Sequence, residues 1–391
     1  MKIKSIEVFQ LPPRWQFLKI ETDEGISGWG EAAAAGKGAA ICGAVKEFED
    51  RLKGKDPFKI EDHWQSMYRG GFYRGGTESM TAMAGVDQAL WDIKGKALNT
   101  PTYNLIGGKC RDRIKVYRWV GGDRPHNIRE DAIRAYEQGY TAVKMKATEE
   151  MHYIDTYDKV DAVLSRVQEI RDALGMKMDV ALDFHGRVHK TMAKVLVKEL
   201  EPFRLMFIEE PVLSENNEAL REVARLSSIP LATGERMFSR WEFKKLLTDG
   251  YIDIIQPDPS NAGGITECRK IATMAEAYDV AVAFHCPLGP LSLNACMQLN
   301  ACTPNAVIQE HQIEIQRNQA GLTHEEINNP LCDYLQDQTA FKYDKGHLEI
   351  TDRPGNGVIV NEERVREISA QRPEPWKSPL WRTEDGVIAE W

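Results

Sequence analysis

The sequence predicts an α/β fold: an N-terminal α+β region, then eight parallel strands closed into a barrel. Three observations predict it. From about residue 115, apolar runs alternate strictly with amphipathic segments. Each run is almost unbroken in apolar character, as strands buried on both faces are. The runs also end in polar residues, which recur every 23–27 residues from Asp183 to Glu310. A doubly wound open sheet is the competing arrangement. It loses because no Gly-x-Gly-x-x-Gly turn follows an early strand and because eight such units are naturally satisfied by a closed barrel.

Residues 2–9 (KIKSIEVF) and 16–22 (QFLKIET) read as strands, with the turn DEGIS leading into a third, GWGEA. Residues 39–53, 57–68 and 77–98 read as helices, the last with small and apolar positions at helical spacing and Pro101 just beyond it. Strands followed by helices without alternation predict an α+β domain over residues 1–125. The barrel domain spans 126–320, with its first strand near 115–121. Its strand runs are KVYRWVG, TAVKMK, DVALDFH, LMFIEEP, PLATGE, IDIIQPD, VAVAFHC and AVIQEH. Residues 321–391 form a C-terminal segment rich in Asn, Asp, Pro and Trp. Its closing string, SPLWRTEDGVIAEW, is read as a tail packing back onto the N-terminal domain, since two exposed Trp residues would be wasteful.

At 391 residues, 42% hydrophobic and 28% charged, the chain has the balance of a globular protein of two or three domains. No segment approaches the ~20 consecutive apolar residues of a membrane helix, and the N-terminus has no apolar signal core. A formal charge of −9 with no long basic run excludes a nucleic-acid surface. It also means that an anionic substrate must be captured by a metal ion or by local Lys and Arg. Seven cysteines, odd in number and without a Cys-x-x-Cys pair, read as free thiols of a cytoplasmic chain. Apolar surface in a two-domain barrel protein leads to the expectation of a homo-oligomer.

The polar strand ends are Lys144 and Lys146, Asp183 and His185, Glu209, Glu235, Asp258, His285 and Glu310. A β/α repeat places them at the C-terminal rim, where barrel enzymes build their sites. Asp183, Glu209 and Glu235 come from three consecutive strands. Three converging carboxylates repel one another unless a cation sits among them, and oxygen-only ligands favour a hard ion, Mg²⁺. The bland alternative, three separate salt bridges, does not explain their common register. His185 follows Asp183 by two residues and so faces the same mouth. His285 lies two strands beyond Glu235, with Asp258 on the strand between to orient its imidazole. Lys144 and Lys146 share a face, and the pair either supplies a base or neutralises carboxylates.

A hard cation facing two proton-transfer groups suits removal of a weakly acidic proton beside a carboxylate. If a β-hydroxyl is present, a second group protonates it as it leaves, and the enol becomes a 2-keto acid. His285 is the better base and His185 the better acid. Glu310 stabilises charge or binds a hydroxyl.

These residues carry a resemblance. The strings FYRGG, DQALWDIKGK, WVGGDRP, LDFHGRV, FIEEPVL, GERMFSR and HCPLGP, among others, are similar to those of the enolase superfamily, and within it the D-galactonate dehydratase family, over nearly the whole chain. The resemblance implies a modified (β/α)7β TIM-like barrel with an N-terminal α+β capping domain completed by the C-terminal tail. It implies Mg²⁺ on Asp183, Glu209 and Glu235, His285 as the base at C2 and His185 as the acid at the 3-hydroxyl. Asp258 would support His285, and Glu310 the transition state. Cap loops carrying Arg14 and Tyr73 would choose the sugar-acid substrate. One position departs: Asn is expected at 146 in the galactonate-specific pattern, and Lys146 instead completes a Lys-x-Lys pair opposite His285, as in the racemases of the superfamily. An epimerase, a dehydratase of another aldonate and a silent sugar-acid-binding protein therefore stand as alternatives.

Overall fold

The computed structural model describes residues 1–312, 334–337, 340–374 and 376–391. Cys332 and the start of the C-terminal segment lie outside the described residues. The chain opens as an antiparallel sheet of β1 (Ile3–Leu11), β2 (Trp15–Thr22) and β3 (Ser27–Glu31), in that order. Helices α1 (Gly38–Leu52), α2 (Ile60–Arg69) and α3 (Thr77–Ala97) follow, then the single turn α4 (Thr102–Leu105). Helix α2 begins three residues later than its sequence pattern predicts. The Asp56 carboxylate accepts the Phe58 N–H at 2.9 Å and holds these residues as a turn.

Helix α3 is buried on almost every side, packed between the sheet and the barrel. Two glycines of the GWGE strand permit this. A Cβ on Gly28 would lie 2.0 Å from the Ala89 carbonyl oxygen, and one on Gly30 2.1 Å from that of Gly85. Toward the barrel, Gln88 Nε2 donates to the Pro259 carbonyl at 2.8 Å and Asp87 accepts the Thr266 N–H at 2.9 Å. These buried bonds hold the N-terminal domain over the barrel rim.

The barrel follows β4 (Arg113–Lys115). Seven parallel strands lie in sequential order: β5 (Arg118–Trp119), β6 (Ala142–Lys146), β7 (Asp179–Asp183), β8 (Phe207–Glu209), β9 (Leu231–Thr233), β10 (Ile254–Ile255) and β11 (Ala281–Val282). Parallel bridges from Val282 to Ala306 and from Gln309 to Val116 make residues 306–309 the eighth position and close the ring. The connecting helices are α5 (Ile128–Glu137), α6 (Tyr157–Leu174), α7 (Lys190–Glu199), α8 (Leu220–Ala224), α9 (Arg240–Asp249), α10 (Gly264–Ala277) and α11 (Pro290–Ala301). This is the closed eight-position barrel that the strand pattern predicts, in the (β/α)7β form that the resemblance implies. Outward-facing Val143, Met145, Val180, Leu182 and Ile208 pack on apolar faces of the helices. Inside, one residue per position forms an apolar floor: Tyr117, Ala142, Ala181, Phe207, Ala232, Ile254, Ala283 and Ile308.

The C-terminal segment joins both domains. The hairpin β12 (Tyr343–Asp344) and β13 (His347–Glu349) pairs with β4. Helix α12 (Glu362–Ala370) lies against β1, with Arg366 on Glu7 at 2.8 Å and buried Val365 in a cluster with Phe9, Leu11 and Trp15. No described helix is long and apolar enough to cross a membrane.

Candidate active site

Strand periodicity converts the apolar floor into a polar tier. Two residues beyond each floor residue lie Trp119, Lys144, Asp183, Glu209, Gly234, Gln256, His285 and Glu310. Gly234 breaks the pattern and explains Glu235. Its φ of +141 is open to glycine, and a Cβ there would meet Phe243 at 2.8 Å and the Gln256 nitrogen at 2.9 Å. The turn brings the next side chain, Glu235, to the mouth. Lys146, Asp183 and Glu209 are lateral partners across β6, β7 and β8, so they stand at one height.

Each expected metal ligand is matched to a cation. Asp183 Oδ2 accepts from Lys146 Nζ at 2.8 Å, Glu209 Oε2 from Lys144 Nζ at 2.6 Å, and Glu235 Oε2 lies 3.1 Å from His285 Nε2. Lys144 also reaches Glu310 Oε1 at 3.2 Å, and its ammonium lies 4.4 Å from the Trp119 ring centre. Both lysines thus neutralise carboxylates. Among the described residues no three ligands are gathered into a ready-made ion cradle, because each carboxylate turns to its own positive partner.

The donor set nevertheless fits a hard divalent cation. Glu209 Oε1 is buried without a hydrogen-bond partner. Burial, and then repulsion from Asp183, Glu235 and Glu310, pushes the Glu209 carboxyl up to about 8 against the pull of Lys144. A lone oxygen, on a carboxyl that burial and neighbouring carboxylates push towards its neutral form, is what such an ion satisfies when it binds oxygen-only donors.

The two histidines flank Glu235. His285 Nε2 faces one of its oxygens at 3.1 Å and His185 Nε2 the other at 3.8 Å. Behind His285, Asp258 Oδ2 bonds Nδ1 at 2.8 Å, and Asp258 is itself fixed by the Ser260 N–H and the Asn261 amide. Burial works to lower the His285 pKa, but Glu235, Glu310 and Asp258 outweigh it and hold it well above the usual histidine range. His185 goes the other way. Burial, then the Lys146 ammonium, lowers it to about 4. The two imidazoles are therefore driven apart in proton affinity, and with no cation among the carboxylates the split runs opposite to a resting base at 285 and acid at 185. Glu310 accepts the Trp119 indole N–H at 2.7 Å and the Cys286 N–H at 2.8 Å.

The two cap residues part company. Arg14, on the loop between β1 and β2, donates to the Pro287 carbonyl at 2.9 Å, and the charge of Glu310 acts on its guanidinium. Tyr73 is not brought to the mouth. Its side chain is 93% exposed on the glycine-flanked loop 70–76, and its ring meets that of Phe72 edge-on. Nothing on that loop buries the ring, so it extends into solvent.

Residues 376–391 run along the N-terminal domain, as a tail packing back onto it would, and end at the barrel. Trp376 lies beside Arg14, Trp381 stacks under the Arg124 guanidinium at 4.0 Å, and Trp391 meets His185 edge-on at 5.8 Å between ring centres. The tail thus crosses the barrel rim. Periodicity marks the apolar face of a helix or strand, but irregular tryptophans carry none. Gln256 was also not singled out in the sequence, where QPD looks like an ordinary strand end. Its amide is buried in the polar tier with neither polar atom bonded.

Residues 127–364 match the enolase C-terminal domain-like family, and residues 13–107 the mandelate racemase / muconate lactonizing enzyme N-terminal domain. The chain is 52% identical over all 391 residues to proteins named D-galactonate dehydratase from Variovorax paradoxus and Pectobacterium atrosepticum, covering 100% of each. Among solved structures it is similar to an enolase from Agrobacterium radiobacter described as a candidate galactarate dehydratase and containing bound Na and L-malate. That match has TM-score 0.88 and 30% identity and covers 100% of both chains. A candidate dehydratase from Mesorhizobium loti matches with TM-score 0.86 and 30% identity, over 94% of this chain and 98% of that one. The two family matches cover the cap and the barrel, and the chain belongs to the enolase superfamily, in its mandelate racemase / muconate lactonizing enzyme group.

Proposed function

We propose that this protein is a hydro-lyase that dehydrates a sugar acid, D-galactonate, to 2-dehydro-3-deoxy-D-galactonate. The observation that carries the reaction is the pair of imidazoles on the two oxygens of Glu235, one with a carboxylate behind it and one without. Full-length identity of 52% to D-galactonate dehydratases supports the substrate.

Asp183, Glu209 and Glu235 would hold Mg²⁺, which when bound neutralises the substrate carboxylate and the charge that develops on it. His285 Nε2 takes the C2 proton while Asp258 holds Nδ1–H. The electron pair left at C2 delocalises into the carboxylate. It then returns to form the C2–C3 double bond as the C3–O bond breaks. His185 supplies the proton that lets hydroxide leave as water, and the enol tautomerises to the 2-keto acid. A group held near 4 is neutral at pH 7, so the acid role requires the substrate's own negative charge nearby to favour the imidazolium. Trp119, Lys144 and the Cys286 N–H fix Glu310 at the rim to accept from a sugar hydroxyl.

A panel of aldonates incubated with the enzyme and Mg²⁺ in D₂O, followed by NMR, tests this reading. D-galactonate is expected to yield the keto acid. If every aldonate stays intact while one exchanges and epimerises at C2, the site is an epimerase using Lys146 and His285. His185→Asn is expected to lose keto product by about 100-fold or more while α-proton exchange continues. Equal loss of both would remove His185 from the acid role. Trp391 has a different expected signature. Trp391→Ala should raise KM for the aldonate several-fold with a smaller change in kcat, because it opens the wall beside His185 without removing a proton carrier. Steady-state kinetics with D-galactonate would show it, and an unchanged KM would place the indole outside the substrate's reach.

A further inference from the structure

Two non-glycine residues at the rim have left-handed backbones, His185 with φ +53 and Glu210 with φ +46. L-residues resist this region, so surrounding contacts must hold them there. One side chain touches both. Arg236 Nη2 donates to the His185 carbonyl at 2.7 Å, and its Nε lies 3.0 Å from Glu210 Oε2. Glu210 is fully buried and is anchored further, with Oε1 accepting from Thr233 Oγ1 at 3.3 Å. Gly186 makes room for the arginine. A Cβ there would lie 2.9 Å from Arg236 Nη2. None of these three residues transfers a proton in the reaction above.

We propose that Glu210 and Arg236 form a positioning pair that clamps the backbone of His185, and thereby commits the site to loss of the 3-hydroxyl instead of α-proton exchange alone. This rests on the dehydratase reading of the same site. The physical case is one of competing conformations. Residues 179–183 are extended strand, and the His185 N–H is already tied to Asp183 Oδ1 at 2.8 Å. The remaining freedom is rotation of the peptide that carries the His185 carbonyl. In the left-handed state that carbonyl faces Arg236, and the imidazole stays 3.8 Å from Glu235. Without the guanidinium the carbonyl loses its partner, and holding the left-handed φ is left to the turn bond from the Arg187 N–H to the Phe184 carbonyl at 2.8 Å and to the Asp183 bond. The imidazole is carried with the backbone, whereas His285 is held separately by Asp258 and keeps its place. Arg236 also lies 3.9 Å from Glu235 Oε1, on the His185 side of that carboxylate, whereas Asp258 holds His285 from behind, so loss of the guanidinium falls first on the acid.

Arg236→Met keeps most of the side-chain volume and removes every donor. With Mg²⁺-loaded protein and D-galactonate in D₂O, keto-acid formation should fall about 100-fold, while α-deuterium incorporation stays within about tenfold of wild type. Arg236→Lys should restore the pairing with Glu210 and the thermal stability, but not elimination, since one ammonium cannot bridge Glu210 and the His185 carbonyl as the guanidinium does. A crystal structure of Arg236→Met supplies a readout independent of turnover: φ of residue 185 should leave the left-handed region. If it stays near +53, the clamp is overturned whatever the activity. If elimination and exchange fall together, the pair serves only general stability, and the proposal fails. If the wild type makes no keto acid but the variant's residue 185 relaxes, the clamp stands and the dehydratase reading falls.

Discussion

His285→Asn should abolish both keto-acid formation and α-proton exchange, with kcat reduced about 10³-fold, while the fold is retained. Loss of a positioned general base is worth about 10²–10⁴ in rate. Asparagine preserves a donor for Asp258 Oδ2, which receives His285 Nδ1 at 2.8 Å, so the buried carboxylate is not stranded. What disappears is Nε2, the atom facing Glu235 and the mouth. The double loss separates this variant from His185→Asn, in which exchange survives. The base must also be unprotonated to act. Although burial lowers it, His285 is held well above the usual range by Glu235, Glu310 and Asp258. Sharing Glu235 with a divalent cation weakens the first of those attractions, so activity and metal occupancy should rise together. NMR of D-galactonate in D₂O checks the main expectation. An exchange rate within tenfold of wild type would transfer the base role elsewhere, with Lys146 the next candidate.

Much of this site is legible in the sequence, for identifiable physical reasons. Parallel strands buried on both faces must be apolar, so a polar residue at the end of such a run stands out, and Asp183, Glu209 and His285 do. Their convergence follows because period two places each above a floor residue. Other parts were hidden. Glu210 looks like a repeat of Glu209, and nothing in the letters EE reveals that the second residue turns through a positive φ. Arg236 reads as a surface arginine until its two bonds are seen. Spacing points to Glu235, and the structure brings it to the mouth by a different local device, the turn at Gly234. Only the resemblance points to Tyr73, and its ring lies in solvent.

Lys144→Met should lower stability by about 3–5 kcal/mol, the usual effect of removing one partner from a buried ion pair. Against typical stabilities of about 5–15 kcal/mol this is a large fraction. Lys144 has no exposed surface, and its ammonium serves two fully buried carboxylates, Glu209 at 2.6 Å and Glu310 at 3.2 Å. Burial works to lower its pKa, but those carboxylates raise it well above the ordinary lysine value, so it is charged throughout the working range. Methionine fills most of the same space beside Trp119 and Tyr117, and the deficit is therefore one of charge more than of volume. Lys146→Met should cost less, because its partner Asp183 keeps the His185 N–H as a donor and the lysine itself is not fully enclosed. Urea unfolding of both variants, with and without Mg²⁺, distinguishes the causes. If the loss is uncompensated negative charge, saturating Mg²⁺ should stabilise Lys144→Met more than wild type by mass action on the folded state. Glu209→Gln should likewise recover part of the loss when combined with it, since the stranded carboxylate is then gone. A Lys144→Met midpoint equal to wild type, or a double variant weaker than the sum of its parts, would mean that the lysine acts by packing and that the carboxylates find another partner.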